Sequence, residues 1–470
     1  MMSQDFSRSI YERYDNYKEK AIKKKNFRHS DIIPLIEKLK GQQGFTVKKA
    51  GESCEKRDIY LVSLGTGRQS VLLWSQMHGD ESTATMAIFD IFNFFSKSDE
   101  FSEIKKKLLD SLTIHFIPML NPDGAERFQR RNALNIDLNR DAIRLESPES
   151  RILKEIRDSL NPAFGFNLHD QSRKWAAGQN FKSASISFLA PPINYEKEVN
   201  PVRERAMKLI VELRNLLNRF IPGHIGKYSD DFEPRAFGDN IQKWGTSTVL
   251  IESGGWYNDR EKQFLRQINF TAILSALVSI AEGSYTKNPL KAYYNIPDNQ
   301  ERIFDLLLRN ITYSRGDSTA KVDIGINRYE QQNKNRETFY KSIIEDIGDL
   351  STFYGYEDYN CDSLVFSAGR EYPKVIEKYE ELKSLDFESL LKKGYTAVRV
   401  KEGIPAESFS KYPVTILSAS GSAKMDNPAP GNQADFVLKE KGRIKLAVIN
   451  GFIINLSTSG SSLQNSVIVQ

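Results

Sequence analysis

Val71-Leu72-Leu73-Trp74-Ser75-Gln76-Met77-His78-Gly79-Asp80-Glu81 is the stretch that decides the fold. Its apolar half has the composition of a buried strand. Its polar end is a corner, and Ser82-Thr83-Ala84-Thr85-Met86-Ala87-Ile88-Phe89 reads as a helix start. His78 and Glu81 therefore stand three residues apart where a strand turns into a helix. An imidazole and a carboxylate at that spacing both reach one zinc ion. Alone, the pair fits a capped helix start with a surface glutamate just as well, so the neighbouring stretches carry the weight.

Those stretches come in a fixed order. Ile114-His115-Phe116-Ile117-Pro118-Met119-Leu120 reads as a strand ending in Asn121-Pro122-Asp123-Gly124. Arg130-Arg131-Asn132-Ala133 and Ile136-Asp137-Leu138-Asn139-Arg140-Asp141 follow. Ala163 to Leu168 is an apolar run ending in His169-Asp170-Gln171, and Thr246 to Ile251 ends in Glu252-Ser253-Gly254-Gly255. A lone His or Glu thus recurs at the carboxyl end of an apolar strand, where open α/β sheets bind ligands. Each piece has a plain reading of its own. Asn121 to Gly124 is a turn signal, Arg130-Arg131 a solvated basic pair, Asp137 to Arg140 a helix cap with a surface arginine, and His169 a hydrogen-bonded core histidine. The ordered set is what argues against coincidence.

The set resembles the zinc carboxypeptidase family (M14-type metallopeptidases) over roughly residues 55–285, most clearly from Leu61 to Ser279. It does so through H-x-x-E, N-P-D-G, R-x-N-A, D-L-N-R, a strand-end His and a later strand-end Glu. The resemblance implies that His78, Glu81 and His169 hold one zinc ion per chain and leave a fourth position for water. It makes Glu252 the general base and Arg130 the group that polarises the scissile carbonyl. It assigns Asn139 and Arg140 to the substrate's terminal carboxylate, which a guanidinium grips with a rigid fork. Arg131 adjoins Arg130, so a one-residue shift would exchange them. The family's mobile tyrosine would be Tyr228, which lies 24 residues before Glu252, although a tyrosine packed in a loop is an equal reading. Arg235 and Asp239 are both candidates for the side-chain pocket and favour opposite substrate charges.

Composition fits a soluble enzyme. The chain has 470 residues, 40% of them hydrophobic, with 27 Phe and 20 Tyr, enough for a large core. A net charge of +5 is small for this length and implies neither a nucleic-acid nor a membrane partner. The basic run Lys18 to Arg28 reads as an exposed helix face. The first residues lack a signal-peptide apolar region, and no run of about 18 apolar residues suggests a membrane span. The two cysteines, Cys54 and Cys361, have no metal spacing and fit free thiols in a cytoplasmic protein.

The periodicity predicts an α/β fold with a mixed sheet and helices on both faces, followed by a C-terminal α+β or β accessory region. Helices are expected over Ser7–Lys24, Ser30–Leu39, Thr83–Phe95, Pro148–Ser159, Val202–Phe220 and Arg260–Ala281. Arg57–Val62 and Gln69–Met77 are expected as neighbouring strands. The division is 1–44, an N-terminal helical extension; 45–285, the catalytic domain; 286–425, an accessory region; and 426–470, a β-rich tail. The accessory region mixes helix-like runs (Glu301–Arg309, Val375–Lys393) with short strands (Lys321–Ile326, Tyr395–Val400). The tail, strand–turn–strand over Pro430 to Gly451, looks like the small β-sandwich segment of amidohydrolases, but the H-x-H metal motif of that barrel is absent from the sequence. The expected function is a zinc-dependent metallocarboxypeptidase that removes a C-terminal residue from a peptide. The alternatives are an N-acyl-amino-acid deacylase with the same zinc fold, and an inactive zinc- or peptide-binding protein. Oligomeric state is not readable.

Overall fold

The structure, a computed structural model, describes residues 2–333, 336–405, 409–423, 427–457 and 466–469. The chain divides into two compact units, Met1–Glu301 and Arg302–Gln470.

The first unit is built on one sheet. Its strands are β1 (Phe45–Glu52), β2 (Asp58–Leu64), β3 (Gln69–Ser75), β4 (Leu112–Ile117), β5 (Phe164–Asp170), the short β6 (Trp175–Ala177), β7 (Ile186–Leu189), β8 (Ile225–Lys227) and β9 (Ser247–Ser253). Among the described residues eight of them pair in the order β1-β2-β4-β3-β5-β9-β7-β8, while β6 pairs with β10 (Asn299–Glu301) instead. The central β4-β3-β5-β9 block is parallel; β1, β2 and β7 bring the antiparallel pairings. β2 and β3 are not neighbours as expected, because β4 inserts between them. The helical connection after β3 leads to β4 on one side, and the next leads to β5 on the other. Such a reversal opens a crevice at the carboxyl ends of the strands.

Strand alternation explains the two covering layers. Along β3, Val71 and Leu73 enter one core and Leu72 and Trp74 the other, all fully buried. The first core packs the helix Thr83–Ser96 and the late helix Gln263–Glu282 against the sheet. The second packs Pro148–Leu160 and Phe237–Lys243. Each such aliphatic or aromatic side chain contributes about 1.5–3 kcal/mol on burial. Helices thus lie on both faces, as the periodicity predicts. Gln263–Glu282 is long and apolar enough to cross a membrane by length and composition, contrary to the reading of the bare sequence. In this fold 83% of its most apolar window is buried, and it serves as a core helix.

The N-terminal segment belongs to the same unit. The expected helix from Ser7 to Lys24 stops early: α-helix covers Met2–Glu12, a 3₁₀ turn covers Tyr14–Asn16, and the basic run is irregular rather than a helix face. Tertiary contacts win over propensity there. Buried Arg266 donates to the carbonyls of Glu19 and Ile22 and to both oxygens of Asp90, and Tyr14 donates to Asp90 as well. A straight helix would withdraw those carbonyls into its own ladder.

In the second unit, Glu301–Arg309 proves to be strand: Ile303–Arg315 pairs antiparallel with Ser318–Gln332. A short apolar run buried on both faces lacks the alternation that separates strand from helix. Val375–Lys393 resolves into a strand (Ile376–Lys378), a 3₁₀ turn (Tyr379–Ser384) and a short helix (Phe387–Lys392). The expected strands at Lys321–Ile326 and Tyr395–Val400 lie inside longer ones, Ser318–Gln332 and Tyr395–Glu402. The tail's Phe436–Glu440 and Arg443–Ile449 form the expected antiparallel pair. They hydrogen-bond into the same sheet as Ile303–Arg315, through Val365–Ala368, so the fold does not set them apart from the accessory strands.

Candidate active site

Three strand ends meet at the crevice. His78 follows β3, His169 closes β5 and Glu252 closes β9. His169 and Glu252 are register partners on adjacent parallel strands, so both side chains leave the same face of the sheet. Tight backbone approaches shape the corner between them. Gln76 adopts a left-handed conformation (φ 51°) just before His78, a strained choice for a non-glycine residue. Its side-chain amide donates to the carbonyl of Gly79, and its own carbonyl accepts from Asn121. A Cβ on Gly79 would lie 2.0 Å from the Gly124 backbone. Asn121-Pro122-Asp123-Gly124 is therefore a brace. Asn121 caps the helix Pro122–Arg127, accepting from the Gly124 N–H, and its amide donates to the carbonyls of Met77 and Arg130.

His78, Glu81 and His169 converge and are all buried. The two Nδ1 atoms are 3.2 Å apart. Glu81 sets one oxygen 2.8 Å from His78 Nδ1 and the other 2.7 Å from His169 Nδ1. His78 turns its other nitrogen to Asp137, at 3.1 Å. Burial opposes charge on His78, but Glu81 and Asp137 outweigh it and hold its pKa up at about 9. Burial wins at His169 and lowers its pKa. For Glu81, burial is overcome by the two imidazoles, which keep its carboxyl well below the usual range.

This donor set fits zinc. Tetrahedral ligands at about 2.0–2.1 Å from one ion stand roughly 3.3 Å from each other, close to the separation of the two Nδ1 atoms. The His78–Asp137 contact is of the kind by which an outer carboxylate orients an imidazole that binds metal. His169 Nε2, by contrast, is buried without a hydrogen-bond partner among the described residues.

The rest of the predicted set lines the same cleft, a cavity of about 530 Å³. Arg130 donates to Asp137 and Glu81 and stands 3.1 Å from His78 Nδ1, whereas Arg131 turns away to the carbonyl of Asn135. Glu252 is buried, and the described residues give its carboxylate no hydrogen bond. Burial, with Glu81 nearby, pushes its pKa well above the ordinary carboxylate range. A Cβ on Gly254 would come within 2.1 Å of the Ala184 carbonyl, so the glycine permits close backbone packing. Tyr228 lines the cleft, and burial together with Glu252 and Glu81 raises its phenol to about 12.

Asn139 and Arg140 reach the cleft already engaged. Asn139 Oδ1 accepts from the Phe237 N–H, and Arg140 Nε lies 3.2 Å from Glu233. Asp239 lies in the cleft wall, where burial pushes its pKa up to about 7. Arg235 is exposed and forms a two-pronged pair with Glu233. Asp137 and Glu233 are the participants that sequence reasoning passed over. Asp137 was visible as the first letter of D-L-N-R; nothing local marks Glu233.

A family model described as zinc carboxypeptidase matches residues 33–181. Carboxypeptidase 2 of Trichophyton tonsurans is 30% identical over 139 residues, covering 28% of this chain and 25% of the relative. Carboxypeptidase 2 of Trichophyton rubrum is 29% identical over the same length and shares. The chain spans about a fifth to a quarter of the length of the curated relatives it matches first. Among solved structures, a metallo-carboxypeptidase from Burkholderia cenocepacia aligns at 17% identity and a TM-score of 0.43, covering 55% of this chain and 69% of that one.

Proposed function

We propose that this chain is a zinc-dependent hydrolase of the carboxypeptidase type, with His78, Glu81 and His169 as metal ligands and Glu252 as general base. The observation that carries the reading is the convergence of two imidazole nitrogens and one carboxylate at the mouth of a parallel sheet, beside a buried carboxylate at the next strand end. A bound zinc would supply Lewis acidity, which polarises a carbonyl and makes water acidic enough to attack near neutral pH. The chain's own residues do the rest. Glu252, with its raised pKa, takes a proton from the attacking water and returns it to the leaving amine. Arg130, fixed by Asp137, presents a guanidinium to the oxygen on which negative charge develops. Arg140 offers its fork to a terminal carboxylate. Asp239 in the cleft wall, with Arg235 outside it, favours a substrate with a cationic side chain.

The test is a panel on the zinc-loaded protein. Release of a C-terminal residue from a free-acid peptide is the expected result. Deacylation of N-acyl amino acids without peptide cleavage would move the assignment to a deacylase. Stoichiometric zinc with no turnover of either substrate would leave a binding protein.

A further inference from the structure

Arg140, the group the proposed reading assigns to the substrate's terminal carboxylate, already holds a carboxylate of this chain. Glu233 Oε2 stands 3.2 Å from Arg140 Nε. The pairing is built in by the backbone. Ala142 N–H donates to the Arg235 carbonyl, the Phe237 N–H donates to Asn139 Oδ1, and the Glu233 N–H donates to Asp239. The first two bonds fix segment 233–239 against Asn139–Ala142 and the third folds the segment on itself, so Glu233 has little choice but to face Arg140. The same carboxylate also has a second guanidinium within reach. Arg235 Nε and Nη2 donate to its two oxygens at 2.9 and 2.8 Å. Glu233 can leave Arg140 without being stranded.

We infer that Glu233 is a built-in occupant of the carboxylate subsite on Arg140 and sets the specificity of that subsite by competition. The inference rests on the proposed role of Arg140. An incoming terminal carboxylate takes over Arg140, and Glu233 stays with Arg235. No bond is made or broken; one ion pair is exchanged for another. Arg235 holds the Glu233 carboxyl down near a pKa of about 2, with Arg140 helping, so the competitor is charged throughout the neutral range. A ligand with a neutral end cannot displace it.

The competition has a sign that a merely structural role would not produce. Glu233→Gln should lower KM for a free-acid peptide by about two- to five-fold, the worth of a half-exposed ion pair, with kcat little changed. It should lower the inhibition constant of 3-phenylpropionate by the same factor, and leave the KM of the C-terminally amidated peptide where it is. Arg235→Ala should act in the opposite direction, raising the free-acid KM about two-fold because Glu233 loses its alternative partner; Glu233→Gln should abolish that rise. If Glu233→Gln folds poorly by melting temperature, Glu233→Asp shortens the reach and carries the same expectation. Arg140→Ala separates the two claims. If it raises the free-acid KM while both Glu233 variants leave KM unchanged or raise it, the competition is overturned and the role of Arg140 stands. If it leaves the free-acid KM unchanged, the role of Arg140 fails and takes the inference with it.

Discussion

Replacing Arg266 by Met should destabilise the first unit by about 3–5 kcal/mol, the cost of leaving a buried charge without its partner. The figure follows from the surroundings. The Arg266 and Asp90 side chains are both fully buried. Asp90 also accepts from the Tyr14 hydroxyl and the Glu19 N–H, so some polar support survives the substitution, but no positive charge does. The carbonyls of Glu19 and Ile22 lose their donor too. Each would cost about 1–3 kcal/mol if it stayed dry. Residues 18–21 are half-buried to exposed, so that part of the segment, with the Glu19 carbonyl, can lift and hydrate. Lifting has a local consequence. Ser82, next to Glu81, donates to the Lys25 carbonyl, and the Lys25 N–H donates to Glu261. Amides of residues 22–28 should therefore exchange faster in the variant. The assay is hydrogen exchange of the amides of 84–94 and 266–280 under increasing urea, which reads this unit without assuming that a chain of two units unfolds in one step. The double variant Asp90→Leu/Arg266→Met should recover part of the loss, since no charge is left behind. A loss below about 1 kcal/mol in Arg266→Met, or a double variant no better than the single, would refute the argument.

His169→Ala should lose stoichiometric zinc while the isolated fold persists; full occupancy measured by elemental analysis would remove His169 from the ligand set. Glu252→Gln should keep zinc and fold yet lose about 10²- to 10⁴-fold in kcat, the range for a positioned base, and near-normal turnover in a zinc-loaded sample would exclude it. Asp239 gives a pH prediction. Its carboxyl is raised from 3.8 to about 7 in the folded protein. The proton it keeps therefore contributes stability that is complete below about pH 4 and is lost as pH rises through about 7. Asp239→Asn should flatten the stability profile between those limits. Because the carboxylate appears over the same window, KM for a peptide ending in a basic residue should fall as pH rises from about 6 to 8 in the wild type and stay level in Asp239→Asn. An unchanged pH profile in that variant would take Asp239 out of substrate binding.

The sheet was legible because its central strands are buried on both faces. Leu72-Leu73-Trp74 and Phe164-Gly165-Phe166 leave little choice but an inner parallel strand, and the polar residues that follow must then sit at the strand ends. That one inference placed His78, His169 and Glu252 together. The same physics defeated the reading of Glu301–Arg309, where an apolar run carried no period. It gave β4 as a strand but not its place, because β4 comes to lie between β2 and β3 by topology and not by composition. Lys18–Arg28 failed for a different reason. Local charge suggested a solvated helix, but the carbonyls of Glu19 and Ile22 answer to Arg266, more than two hundred residues away. Glu233 was hidden in the same manner. Its meaning comes from Arg140, which lies far off in the chain and meets it only because residues 233–239 are tied to 139–142.

The cleft that results has paired its arginines before any substrate arrives. Arg130 is held by Asp137 and Glu81, and Arg140 by Glu233. On the proposed reading, a terminal carboxylate entering this site would exchange one ion pair for another and gain little net energy from its charge, since half-exposed pairs are worth about 0.2–1 kcal/mol. Most of the binding energy must then come from the side-chain pocket and from contacts that strengthen only as the carbonyl is attacked. This changes what amidation of the substrate should do. A free Arg140 would make the terminal carboxylate close to obligatory, whereas an Arg140 already paired makes it a discriminator worth a few-fold in KM. The paired arrangement also keeps the guanidinium oriented, because Arg140 is bonded to the Asn139 carbonyl as well as to Glu233. The price is weaker ground-state binding, and an enzyme that binds its substrate loosely while holding its polar groups in place keeps more of its interaction energy for the transition state.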